Sequence, residues 1–110
     1  MLDCIFCKIS QHEIPSDVVS EDEEIIVFKD IHPKAEVHWL AVPKKHISSL
    51  KEVVPEDWLA VLLVIQKAVK VAQDNNLAGY KLVFNVGREG GQVVDHLHLH
   101  LLSGEKIELP

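Results

Sequence analysis

Three of the seven histidines fall in the stretch HLHLHLL, at positions 96, 98 and 100, with leucine between them. Positions two apart share a face on a strand and diverge on a helix. Leu97, Leu99 and Leu101 complete a strict alternation, which predicts a strand over 96–102 with its leucines entering a core and His96, His98 and His100 on the other face. Ordinary wet strand faces carry Thr, Lys, Glu or Ser. Imidazole is a metal ligand, a nucleophile or an acid–base group near neutral pH. Distance divides the three: the outer two lie about 13 Å apart at a rise of ~3.3 Å per residue, whereas Zn–N bonds are only ~2.0–2.1 Å. One metal can take two of these rings but strains to take three, so the segment is expected to serve more than one purpose.

Cys4 and Cys7, in CIFC, have metal-ligand spacing. Thiolate with imidazole favours zinc, and His46, in PKKHI, with one of the alternating histidines would complete four ligands. The competing reading is two small buried hydrophobes. NVGREGGQVVD holds Gly87, Gly90 and Gly91. It is neither a Walker loop nor GxGxxG. It suits a tight turn or, beside histidines, a nest of N–H groups for an anion. His38 lies between Val37 and Trp39 on a predicted strand, and Asp30 ends another; a satisfied core histidine and a turn carboxylate are the plain alternatives. His12 and His32 fall in predicted turns and are given no role.

The elements that must position these residues follow from local pattern. A short, poorly capped helix is expected over 5–12 and a turn over 14–17. DVVSEDEEIIVFKD reads as a hairpin with an acidic turn near Glu21–Glu24 and a strand through Ile25, Val27 and Phe28. VHWLAV, 37–42, is a strand stopped by Pro43. The one long helix runs from Pro55 to about Asn76, with proline and acidic residues at its start and Leu59, Leu62, Leu63, Val69 and Ala72 as its core face. A strand over 79–87 and the glycine loop lead into the histidines. Strands, one main helix, then strands predict an α+β domain with an antiparallel sheet, and nothing shows the alternation of a dinucleotide fold.

Composition narrows the class. At 110 residues, 47% of them apolar, the chain is expected to be a single ordered domain, 1–110. A net charge of −6 argues against nucleic acid as a partner, so any phosphate must be met by local donors. The most apolar segment, WLAVLLVIQKAV, is broken by Gln66 and Lys67, short of the ~20 residues of a bilayer span. No secretory leader is visible, and a cytoplasmic protein with reduced cysteines is expected.

HLHLHLL matches His-φ-His-φ-His-φ-φ, the signature of the histidine triad (HIT) superfamily. DCIFCKI, EIP, VFKDI, AVPKKHI, NVGREGGQ and the triad occur in the order of its histidine-triad nucleotide-binding (HINT) branch. The resemblance implies a five-stranded antiparallel sheet with one long and one short helix, and a two-fold homodimer with sheets joined across the interface. It implies a purine nucleotide ligand (AMP or a phosphoramidate), hydrolysis of the P–N bond of purine nucleoside 5′-phosphoramidates through a nucleotidyl-histidine, and no organic cofactor. Carried over, His98 is the nucleophile, His100 contacts phosphate and leaving group, and His38 joins the proton network. Asp30 and Ile31 meet the ribose. Ile5, Phe6, Ile9 and Phe28 wall the base. Asn85 and the backbone of Gly91, Gln92 and Val93 cradle phosphate. In zinc-containing members the metal is structural, held here by Cys4, Cys7, His46 and His96.

This chain departs from the family pattern at three places. Val93 stands where many relatives have Ser, Asp95 replaces a commonly aromatic residue, and the ending SGEKIELP lacks a tryptophan found in some relatives. His100 separates the chain from transferase relatives, which carry Gln there. A dinucleoside polyphosphate hydrolase, a nucleotide-binding interaction module and a zinc metallohydrolase are the competing readings.

Overall fold

A computed structural model describes residues 3–110. Its five strands are β1 (Val18–Glu21), β2 (Ile25–Lys29), β3 (Val37–Pro43), β4 (Lys81–Val83) and β5 (Leu99–Ser103). They form one antiparallel sheet in the order β1-β2-β3-β5-β4. Helix α1 (Ile5–Ser10) and helix α2 (Trp58–Asp74) complete the α+β fold. The hairpin turns where expected: the Asp22 carboxylate accepts the N–H groups of Glu24 and Ile25, both at 2.8 Å, the local bonding that makes Asp a turn former.

Alternation sorts the central strands into two cores. Ile25 and Val27 of β2, Trp39 and Ala41 of β3, and Leu99 and Leu101 of β5 join Val61, Val64, Ala68, Val71 and Ala72 of α2. On the opposite face Ile26, Phe28, Leu40 and Val42 pack with Phe6 and Ile9 of α1. The histidines belong to this second face. Their side is not open: His96 is 0% exposed, and His98 and His100 are each 6% exposed. Residues 96–103 are therefore buried on both faces.

Several boundaries differ from expectation. The ladder of the histidine strand starts at Leu99, so only His100 of the triad sits on it. Ala41 pairs with Leu99, and two residues farther along β3 Pro43 has no N–H to continue the ladder. The Leu97 N–H turns instead to the Ile47 carbonyl, 2.6 Å away. β4 covers three residues of the predicted 79–87. Helix α1 ends at Ser10 and is capped after all, by the Cys4 sulfur accepting from the Cys7 N–H at 3.4 Å. Pro55–Asp57 forms a separate 3-10 turn before α2.

The long helix also buries a different stripe. Leu59 and Leu62 are exposed, and Leu63 and Val69 are half-buried. Because α2 is apolar nearly all round, the 3.6-residue period alone allows two candidate faces. The smaller and β-branched residues take the position against the sheet, and Trp58, Leu59 and Leu62 are left outside.

Candidate active site and metal cluster

His98 lies under α1, its ring edge-on to Phe6 with centroids 5.1 Å apart. Its Nδ1 is 2.8 Å from the carbonyl oxygen of His96. A carbonyl only accepts, so Nδ1 carries the proton and Nε2 of the neutral ring keeps its lone pair. Burial lowers the proton affinity of His98, against a hydrogen bond to His96 that raises it, which favours that neutral nucleophilic form.

His38 and His100 are diagonal neighbours across β3 and β5, since His38 pairs with Leu102 and Leu40 with His100. Nε2 of His38 and Nδ1 of His100 are 2.9 Å apart. The backbone N–H of Lys34 donates to Nδ1 of His38 at 2.9 Å. A carboxylate oxygen of Asp30 is 3.4 Å from Nε2 of His38. Nε2 of His100 is fully buried and has no hydrogen-bond partner among the described residues, an arrangement that costs free energy unless a ligand completes it. Burial, reinforced by His98 and His38, pulls His100 down to about 4.

The rings of His98 and His100 line a cleft of about 560 Å³ with mainly apolar walls. Ile5, Phe6, Ile9 and Phe28 line it, Asp30 and Ile31 stand at one rim, and Val93 at another. Ile31 and Val93 are 84% and 79% exposed. Leu40, Ile14 and Val94 also line it and were not anticipated. Leu40 had a legible signal, since it shares the face of His38 two residues before it; the other two lie in loops without periodicity.

The expected phosphate cradle is arranged otherwise at its side chains. Asn85 does not line the cleft, and its amide donates to the carbonyl oxygen of Pro110 at 3.1 Å. Gln92 is buried, and its side chain ties the loop together, accepting from Gly87 N–H and donating to the carbonyls of Ser48 and Val94. Gly87 and Gly91 have φ of +72° and +89°, which favours glycine at both turns of the loop. Arg88 pairs with Asp95 at 2.9 Å, so the additional carboxylate has a cation beside it.

Cys4, Cys7, His46 and His96 bring one donor atom each within 4.8 Å of the others. Nδ1 of His96 is 3.2 Å from the Cys4 sulfur, and Nδ1 of His46 is 3.3 Å from the Cys7 sulfur. Nε2 of His96 donates to the Pro43 carbonyl at 2.7 Å. That bond orients the ring and leaves Nδ1 as the ligating lone pair, the usual outer-shell arrangement of a metal-bound histidine. Both cysteines are free. Burial and the neighbouring Cys4 push the Cys7 thiol up to about 11, so a thiolate there calls for a cation. The set fits zinc, and four protein ligands leave no open position.

Asp30, His38 and His100 also converge within 4.8 Å, but hydrogen bonding sets them apart. A metal on Nε2 of His38 would leave the ring without any proton, because Nδ1 already accepts from Lys34. This cluster suits proton placement, and the cysteine-containing one suits a metal.

The sequence and the fold have counterparts in known proteins. A family profile described as scavenger mRNA decapping enzyme C-term binding matches residues 3–108. Protein HitA of Neisseria gonorrhoeae is 43% identical over 104 residues, covering 94% of this chain and 97% of its own length. The crystal structure of a HIT family hydrolase from Legionella pneumophila superposes with a TM-score of 0.91 at 47% identity, covering 98% of each chain. A zinc-bound histidine triad family protein from Mycobacterium smegmatis aligns with a TM-score of 0.82 at 29% identity, covering 98% of this chain and 81% of the other.

Proposed function

This chain belongs to the histidine triad (HIT) superfamily, and from that membership we propose that it is a nucleotide-binding hydrolase of the HINT branch, a purine nucleoside phosphoramidase releasing AMP from adenosine 5′-phosphoramidates. The observation that carries the proposal is the tautomer of His98. Its Nδ1 proton is committed to the His96 carbonyl, so Nε2 is free to attack phosphorus, and the unpartnered Nε2 of His100 stands beside it on the same face.

In the proposed reaction the base lies among Ile5, Phe6, Ile9 and Phe28, and the ribose meets Asp30 and Ile31. The backbone of Gly91, Gln92 and Val93 supports the phosphate, with Asn85 joining once its amide is released from Pro110. His98 Nε2 forms the new bond to phosphorus as the P–N bond breaks, and the departing nitrogen takes a proton from solvent at the cleft, which the second step returns. His100 meets the negative charge on the phosphoryl oxygens. Water then adds at phosphorus, the P–Nε2 bond breaks, AMP leaves and one proton is released. Splitting one displacement into two easier ones is the gain from a covalent histidine.

Zinc at Cys4, Cys7, His46 and His96 is proposed to be structural, tying α1 to the start of the catalytic segment, and no organic cofactor is needed. The chain is proposed to act as one domain and as a homodimer. Support comes from exposed Trp58, Leu59 and Leu62 on α2 and Leu82 on the edge strand β4. No helix among the described residues is long and apolar enough to cross a membrane; together with the free cysteines, this supports a cytoplasmic location.

The test is AMP release from an adenosine 5′-phosphoramidate by the wild type and His98→Ala. Turnover by the wild type that vanishes in a folded, AMP-binding variant is the expected result. Binding of AMP without any turnover identifies an interaction module. Release of AMP only from dinucleoside polyphosphates identifies the sister hydrolase activity.

A further inference from the structure

Taking His100 as the phosphate partner of His98, as proposed above, we infer that the backbone N–H of Lys34 is a positioning group that sets the proton arrangement of the His38–His100 pair. An amide N–H only donates, so Nδ1 of His38, 2.9 Å from it, holds a lone pair. The proton of neutral His38 is then on Nε2 and is donated to Nδ1 of His100, 2.9 Å away. The proton of neutral His100 must in turn be on Nε2, the one buried ring nitrogen left without a partner among the described residues. A backbone amide two bonds removed from the chemistry thus makes His100 a hydrogen-bond donor toward the cleft.

The opposite arrangement uses the same rings and would be harmful. With a proton on Nδ1 of His38, its Nε2 would accept from Nδ1 of His100, and Nε2 of His100 would turn a lone pair toward an anionic oxygen. The Lys34 amide forbids this. It also leaves no free lone pair within the pair to take an added proton, in keeping with burial lowering both groups.

The surroundings hold the Lys34 peptide in place. Its carbonyl, in the next peptide unit, accepts the Glu108 N–H at 2.8 Å, so the backbone of Lys34 is held on both sides of its Cα. The preceding turn is closed by the His32 N–H on the Asp30 carboxylate at 2.8 Å. The other Asp30 oxygen, 3.4 Å from Nε2 of His38, favours a proton at that nitrogen.

The experiment reads tautomers directly, by long-range proton–nitrogen correlation spectra of the nitrogen-15-labelled whole protein near neutral pH without substrate. The wild type is expected to show His38 and His100 both protonated at Nε2. Lys34→Ala keeps the amide and is expected to keep both tautomers. Lys34→Pro removes the N–H and is expected to move His38 toward the Nδ1–H form, remove the proton from Nε2 of His100 in a measurable fraction, and lower kcat in proportion to that fraction, where full loss of an oxyanion donor costs about 10²–10³-fold. A wild-type His100 protonated at Nδ1, or a folded Lys34→Pro variant with unchanged tautomers, overturns the inference. Should Lys34→Pro fail to fold, the wild-type spectrum decides alone. The spectra need no turnover, so absence of phosphoramidase activity would count against the proposed function and not against this inference.

Discussion

The Nδ1–H of His98 is 2.8 Å from the carbonyl oxygen of His96, whose ring nitrogen faces the sulfur of Cys4 at 3.2 Å. One residue therefore joins both clusters, its ring in the cysteine-containing set proposed to hold zinc and its carbonyl at the proposed nucleophile. Removing zinc by chelation, or substituting Cys7→Ser, is expected to lower the melting temperature by more than about 5 °C, on a scale of roughly 4–8 °C per kcal/mol for a domain of this size. Turnover should decline with the loss of structure. Differential scanning calorimetry alongside AMP release checks this. Immediate loss of turnover at an unchanged melting temperature would mean that the metal itself takes part in the chemistry.

Stability should fall on mild acidification. Burial is the first cause that lowers both His38 and His100, the latter to about 4 from an ordinary 6.5. The folded state favours their neutral forms, so the unfolded chain binds protons first. The contribution of His100 is complete above pH 6.5 and is lost as the pH falls toward about 4, and His38 adds to it in the same direction. For His100 alone the loss amounts to about 3 kcal/mol, at roughly 1.4 kcal/mol per tenfold in proton concentration. Glu21, held low chiefly by its hydrogen bond to Lys44, adds to the loss below its ordinary 4.5. Urea midpoints across this range read the effect, and His100→Gln should flatten the upper part of the slope.

The exposed stripe of α2 should control association. Burying a leucine contributes about 1.5–3 kcal/mol, and a two-fold interface counts each one twice. Leu62→Lys is therefore expected to weaken the dimer by roughly a hundredfold or more, with little change in the melting of the separated protomer, since Leu62 is 48% exposed. Sedimentation velocity over a concentration series measures this. A wild type that sediments as a monomer at every concentration removes the dimer proposal.

That stripe also shows where pattern was and was not enough. HLHLHLL revealed which side chains share a face because strand alternation survives even where the ladder stops, and His96 and His98 keep their side though β5 begins at Leu99. Cys4, Cys7 and His46 were legible from residue type, and their meeting needed the fold. The α2 stripe was misjudged because its apolar residues satisfy the helical period on two faces, and only contact with the sheet selects one. The bonds made by Asn85 and by the Gln92 side chain were not legible for another reason. Their partners, Pro110 and Ser48, are distant in sequence, and no local pattern announces such bonds.

Val93 offers a test of a gain rather than a loss. It stands at the cleft rim, 79% exposed, at the position where the family resemblance implies a serine. Its backbone N–H remains available, but no side-chain hydroxyl can reach a phosphoryl oxygen. A hydrogen bond to a charged partner contributes about 1.5 kcal/mol or more, and each 1.36 kcal/mol off a barrier is about tenfold in rate. Val93→Ser is therefore expected to raise kcat/KM for AMP release by about tenfold. Stability should stay within about 0.5 kcal/mol, the range for exposed substitutions away from structural features. Val93→Ala separates the hydroxyl from the mere loss of bulk: it removes the same methyl groups and adds no donor, so it should give no gain. Equal rates for the serine and alanine variants would mean that position 93 reaches the phosphate through its backbone alone, with the loop amides supplying all the donors on that side.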